Sequence, residues 1–213
     1  MKKILPLLFC LALTTRLFAQ DCTQFVYMQK GKTIESTAYN AGGSVMSKSI
    51  HHVLDVTTSN GTTLATVEME HFDKEGKSTG KNTVTFKCNG GVFYFDMSAM
   101  GGGKGVKFSA TNMEYPANMR VGDHLKDVEI KMQMATMTVN SKIVNRQVVS
   151  KESITTPAGT WDALKITYQT KVDMPNMPAN MGTQTTTEWY VPNFGVVQYN
   201  MSMGMTIKIT AIH

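Results

Sequence analysis

The chain has 213 residues, 17% of them charged and 42% hydrophobic, a balance that excludes intrinsic disorder, which pairs high charge with few apolar residues. No apolar run beyond the N-terminus approaches the roughly 20 residues that cross a bilayer as a helix, so a polytopic helical membrane protein is excluded as well. The formal charge of +5 falls to +2 without the N-terminal Lys2, Lys3 and Arg16, and no basic stripe with interleaved aromatics remains to support nucleic-acid binding.

Those three cations belong to a leader. Met1-Lys2-Lys3 is a basic start, Ile4 to Leu13 is a short apolar stretch broken by Pro6, and Thr14 to Gln20 follows. The apolar part is too short for a transmembrane helix and has the layout of a secretory signal. The expected organisation is a signal peptide over 1–20, with cleavage after Gln20 or Ala19, and a single β-rich domain over 21–213. A lipoprotein needs a small residue before its acylated cysteine, whereas Asp21 precedes Cys22 and Phe9 precedes Cys10. With Cys10 removed, Cys22 and Cys88 are the two thiols left in an oxidising compartment, and a disulfide between them is expected.

Along the chain, turn chemistry alternates with runs of period two. Asn40-Ala41-Gly42-Gly43, Ser59-Asn60-Gly61, Asp73-Lys74-Glu75-Gly76 and Asn89-Gly90-Gly91 favour tight reversals, as do Thr156-Pro157-Ala158-Gly159 and Pro192-Asn193-Phe194-Gly195. Between them Ala65, Val67 and Met69 share a face, as do Val84, Phe86 and Cys88, and Leu164, Ile166 and Tyr168. Short helices are expected around Met97–Met100 and Asp123–Asp127. Ile130, Met132 and Met134 change phase to Met137 and Val139, which predicts a β-bulge near Ala135-Thr136. Met174 to Thr187 reads as a loop leading into a strand, and Met201 to Ala211 as one half-buried strand. Strands at this spacing without a long helical period predict an all-β fold, an antiparallel barrel or half-open barrel of roughly ten to twelve strands.

Chemical motifs are sparse. Gly101-Gly102-Gly103-Lys104-Gly105 lacks the Ser or Thr and the helix that a phosphate loop needs, so it reads as a plain loop. His51 and His52 are adjacent and point to opposite sides of a strand, while His71, His124 and His213 lack zinc-site spacing. No linear pattern joins a nucleophile to a base, so no catalytic residue is assigned and no cofactor is expected. Methionine is the anomaly, with 17 in the chain. Met132 and Met134 with Met201, Met203, Met205 and Ile207 are expected to line an inner apolar face, where adaptable thioethers suit guests of varied shape. The alternative is a Cu(I) site built from Met174, Met177 and Met181, since thioethers are soft ligands.

Three segments carry a family resemblance: Lys87-Cys88-Asn89-Gly90-Gly91-Val92-Phe93-Tyr94-Phe95-Asp96-Met97; Asn145-Arg146-Gln147-Val148 with Glu152-Ser153-Ile154-Thr155-Thr156-Pro157-Ala158-Gly159-Thr160-Trp161; and Glu188-Trp189-Tyr190-Val191-Pro192-Asn193-Phe194-Gly195-Val196-Val197. With Cys22 and Tyr115-Pro116 they resemble the exported TapB-like proteins, related to a domain-of-unknown-function family of the Gram-negative envelope. The resemblance implies a signal peptide, one mostly β domain and a location outside the cytoplasm; the expected place is the periplasm or the outer membrane, or outside the cell. It transfers no catalytic residue. The expected role is an exported, non-enzymatic protein that binds lipid, an acyl chain or an apolar peptide, or that serves as a component of an envelope assembly through a protein partner.

Overall fold

The computed structural model describes residues 22–97, 107–134, 137–173 and 182–213. Among them every regular element longer than one turn is a strand: β1 (Thr33–Tyr39), β2 (Val45–Ser59), β3 (Thr62–Asp73), β4 (Ser78–Asn89), β5 (Val92–Phe95), β6 (Lys107–Ala110), β7 (Met113–Pro116), β8 (Val128–Met134), β9 (Met137–Thr156), β10 (Gly159–Asp173), β11 (Thr183–Val191), β12 (Gly195–Met201) and β13 (Thr206–Ile212). They form one antiparallel sheet of thirteen strands in the order β6-β8-β9-β10-β11-β12-β13-β1-β2-β3-β4-β5-β7. This is the half-open barrel expected, with one strand more than the upper expectation. Among the described residues no helix is long and apolar enough to cross a membrane.

The sheet does not close. Its edges are β6 and β7, which follow each other in sequence with only Thr111 and Asn112 between them, so the chain itself steps across the seam. Both edges are four residues long, which limits the unpaired backbone they present.

All six turn segments read from sequence join antiparallel neighbours. Asn60-Gly61 and Gly90-Gly91 have positive φ at both positions, as a two-residue hairpin with right-handed strand twist requires. The alternating runs bury the expected face: Ala65, Val67 and Met69 on β3, Val84, Phe86 and Cys88 on β4, Leu164, Ile166 and Tyr168 on β10.

Four expectations need correction. Met201 to Ala211 is not one strand, because β12 ends at Met201 and the chain reverses through Ser202-Met203-Gly204, with Gly204 at φ 78°. The Met201 amide donates to the Met205 carbonyl at 2.8 Å to close that hairpin. The phase change after Met134 is likewise a strand reversal, with Met134 paired antiparallel to Met137 across β8 and β9. Residues 123–127 form no helix; Asp123, His124 and Leu125 run beside β9 instead, where the Leu125 amide donates to the Arg146 carbonyl at 2.9 Å. Thr183–Thr187 is the start of β11 rather than loop. Residues 98–100 of the other expected helix, Gly101–Gly105 and Met174–Met181 lie outside the described residues.

A β-bulge does occur in β9, ten residues beyond its expected place. Val139, Ser141 and Ile143 are buried, then the buried set shifts to Arg146 and Val148. The extra residue is Asn145, at φ 57°, and the register against β10 slips between Thr167 and Gln169. One inserted residue turns the Arg146 side chain into the interior.

One end of the half-barrel is plugged by two 3-10 turns, Cys22–Gln24 and Val26–Met28. Phe25 stacks on Phe93 with ring centroids 5.3 Å apart, and Tyr27 meets the edge of Phe86 at 5.0 Å. The Val26 amide donates to the Phe194 carbonyl at 3.2 Å. Cys22 is disulfide-bonded to Cys88 on β4, which fastens this plug to the sheet.

Two measurements test this architecture. Reduction, or paired Cys22→Ser and Cys88→Ser substitution, lowers unfolding free energy in urea by up to about 4 kcal/mol, the chain-entropy value for closing such a loop. Asn145→Val costs about 1–2 kcal/mol, the penalty of a β-branched residue in the left-handed region, while Asn145→Gly leaves stability nearly unchanged.

Candidate functional site

The inner face of the sheet encloses a cavity of about 430 Å³. Sites for small molecules span roughly 300–1,000 Å³, so this one is large enough to be used. Strands β5, β7, β8 and β9 line it with apolar groups, Phe93, Phe95, Met113, Ile130 and Ile143 among them. Strands β1 to β3, β10 and β11 add a polar component through Ser36, Ser47, Ser49, His71, Thr170 and Gln184. No aspartate or glutamate is among the described residues that line it.

Beneath the lining lies a buried charged cluster. Arg146 and Glu188 are 1% and 0% exposed, with Nη2 of the one 4.0 Å from Oε1 of the other. That separation is an electrostatic contact rather than a hydrogen bond. The Tyr115 hydroxyl donates to Glu188 Oε2 at 3.1 Å and lies 2.7 Å from Met113 Sδ. The Tyr115 ring stacks on Tyr190 with centroids 5.2 Å apart, and Arg146 sits over the Tyr115 ring at 5.1 Å. Arg146 Nη1 donates to the carbonyls of Glu114 at 3.3 Å and Lys126 at 3.1 Å. These contacts span the seam, since Arg146 is on β9, Glu188 on β11, and both reach β7.

The cluster leaves several buried atoms without a hydrogen-bond partner among the described residues: Nε and Nη2 of Arg146, Oε1 of Glu188 and the Tyr190 hydroxyl. Burial pushes the Glu188 carboxyl up to about 7, against the pull of Arg146 and the hydroxyls of Tyr115 and Tyr168. Burial also raises the phenols of Tyr115, Tyr168 and Tyr199, with the neighbouring Glu188 adding to it.

A second group stands on β2 and β3. The register places His51 opposite Met69 and Ser49 opposite His71, and all four side chains line the cavity. His51 Nδ1 is 2.8 Å from the Tyr27 hydroxyl, and His71 Nδ1 is 2.8 Å from Ser49 Oγ. Burial, with a smaller contribution from His71, holds His51 down to about 4, so its imidazole is neutral at pH 7. The Ser49–His71 contact is not a hydrolase dyad of the usual geometry. There the serine bonds Nε2 and a carboxylate orients Nδ1; here the serine occupies Nδ1, and no carboxylate is among the described lining residues.

Of the residues expected from sequence to line a ligand face, Met201 and Ile207 do so. Met203 stands in the β12–β13 turn at 76% exposure, its Sδ accepting from Gln184 Nε2 at 3.3 Å. Met132 and Met205 are half-buried but not among the lining residues, and the Met134 side chain and Met174, Met177 and Met181 lie outside the described set. The thioethers that reach the cavity besides Met201 are Met69, Met97 and Met113, which the linear clusters did not single out. Arg146, Glu188 and Tyr115 were also missed as site residues. Their signal was a charged residue in an inward register, Glu188 between Thr186 and Tyr190, and the phase slip before Arg146.

The chain belongs to the DUF3108-like family, whose model matches residues 29–206. Two crystal structures share the fold. One is a protein of Bacteroides fragilis NCTC 9343, inferred to be exported and described as having a YmcC-like fold; it is 20% identical, covers 89% of this chain and 98% of its own, and has a TM-score of 0.73. The other is an inferred lipoprotein of Parabacteroides distasonis ATCC 8503, 22% identical over 91% of this chain and 100% of its own, with a TM-score of 0.76. No curated protein matches the sequence.

The two shifted groups act on stability with opposite signs. Glu188 has its folded value raised from 4.5 to about 7, so its contribution is full below 4.5 and lost as pH rises through 7. His51 has its value lowered from 6.5 to about 4, so its contribution is full above 6.5 and lost as pH falls through 4. Across the window between them the two slopes offset each other. Glu188→Gln removes one slope, and urea denaturation across pH 4 to 7 then shows stability rising with pH more steeply than in the wild type. An unchanged profile contradicts the assignment.

Proposed function

We propose that this chain is an exported, non-catalytic envelope protein whose half-barrel holds an acyl chain of a lipid or an apolar peptide segment in its interior cavity. The observation that carries this reading is the cavity itself: about 430 Å³ of space whose walls are largely aromatic, aliphatic and thioether groups. Methionine has three rotatable bonds and a polarisable sulfur, so a wall containing Met69, Met97, Met113 and Met201 can mould to guests of different shape. The polar groups on β1 to β3 and on β10 and β11 would meet a headgroup or a peptide backbone.

Export is supported by the leader pattern of residues 1–20, by the resemblance to the exported TapB-like proteins, and by the two structural relatives, one described as exported and the other as a lipoprotein. The disulfide agrees with an oxidising compartment. A non-catalytic role is supported by the Ser49–His71 contact, which is made at Nδ1, the nitrogen that a hydrolase triad turns to its carboxylate.

The test uses the chain expressed with its leader and purified from the cell envelope. Native mass spectrometry is expected to show co-purifying lipid or peptide, and a fluorescent fatty acid is expected to bind at one site per chain. Ser36→Trp, which fills the cavity from β1, is expected to weaken that binding at least tenfold while the melting temperature stays close to wild type. A wild-type protein that carries nothing and takes up neither an acyl probe nor an apolar peptide overturns the proposal.

A further inference from the structure

We propose that His51, His71 and Met69 form a binding site for a soft, singly charged metal ion of the Cu(I) class on the cavity wall. The proposal does not depend on the acyl-chain reading, although both draw on the methionines of one cavity wall.

Register brings the three donors together. His51 lies directly opposite Met69, and His71, opposite Ser49, takes the diagonal place on the same face. Diagonal neighbours on an antiparallel pair are about 7–8 Å apart, close enough for two imidazoles to reach one ion. All three side chains line the cavity. Each histidine is fixed at Nδ1 by a hydroxyl, Tyr27 for His51 and Ser49 for His71, both at 2.8 Å. Such an anchor is what metal-bound histidines have at the nitrogen that does not bind the ion, and it leaves Nε2 for coordination.

The donor chemistry selects the ion. Imidazole nitrogens and a thioether bring no negative charge, and no aspartate or glutamate is among the described lining residues to offset a hard divalent cation. Soft sulfur and imidazole nitrogen suit Cu(I). Met97, Met113 and Met201 line the same cavity and supply further thioethers. The abundance of methionine thereby gains a chemical use distinct from packing. Binding exchanges water on the ion for protein ligands and involves no change of oxidation state.

Ag(I) is the probe, since it has the same charge and softness and is not oxidised in air. Calorimetric titration of the intact chain is expected to show one tight site, with the Nε2 resonances of His51 and His71 shifting in nitrogen-detected NMR and that of His52 unmoved. His71→Gln and Met69→Leu are each expected to weaken binding at least tenfold; the leucine substitution conserves volume and keeps the fold testable by thermal melting. Joint substitution of Met174, Met177 and Met181 by leucine is expected to leave binding unchanged. Absence of binding, retention of full affinity in Met69→Leu and His71→Gln, or loss only in the triple variant overturns the proposal.

Discussion

A thirteen-stranded sheet that curls without closing has to seal its own seam, and here side chains do what backbone hydrogen bonds do elsewhere in the barrel. Edge strands β6 and β7 share no ladder. The closure comes from Arg146 on β9, which donates to the Glu114 carbonyl on β7, and from Tyr115 on β7, which donates to Glu188 on β11. A guanidinium suits this task because Nη1 alone reaches both carbonyls while the planar group lies over the Tyr115 ring.

The closure is not obtained cheaply. Withdrawing a guanidinium and a carboxylate from water costs several kcal/mol per ion, and a 4.0 Å separation returns only part of that. Burial therefore pushes Glu188 toward its protonated form, and three buried polar atoms of the pair find no hydrogen-bond partner among the described residues. Well-packed apolar residues in place of a buried ion pair are often neutral or stabilising. What the charged pair adds is orientation: it fixes which residue of β7 faces β9 and β11. With β7 so fixed, Tyr115 and Met113 stand as a wall of the cavity and the space beside them stays defined.

The legible and illegible parts of the sequence divide along a physical line. Turns with positive φ advertise themselves through Asn-Gly and Gly-Gly, and one-sided strands through alternation, so the all-β class and the six named hairpins could be read directly. The β12–β13 reversal could not. Met201, Met203, Met205 and Ile207 keep their spacing through Ser202-Met203-Gly204, so parity carries on across a hairpin and imitates one longer strand. The phase slip at Asn145 was visible as Ile143 followed by Arg146 and Val148, yet an arginine is not expected to occupy an inward position. The His51–Met69 and Ser49–His71 pairs depend on register between two strands, information that no linear spacing contains.

A further boundary of the cavity comes from the two 3-10 turns of residues 22–28. Phe25 and Tyr27 enter an aromatic group formed by Phe86, Phe93 and Phe95, and Tyr27 also reaches His51 in the cavity wall. The cavity thus owes one boundary to a segment that is joined to the sheet by the Cys22–Cys88 bond. Under the proposed export, Cys22 lies just after the leader, so cleavage would free this segment and an oxidising compartment would then lock it in place. Reducing conditions would leave the same segment held by packing and by hydrogen bonds such as those of Val26 to Phe194 and Tyr27 to His51, without its covalent tie. Compartment chemistry and cavity shape are then linked through a single covalent bond, and a protein kept inside a reducing cytoplasm would have the sheet without its secured plug.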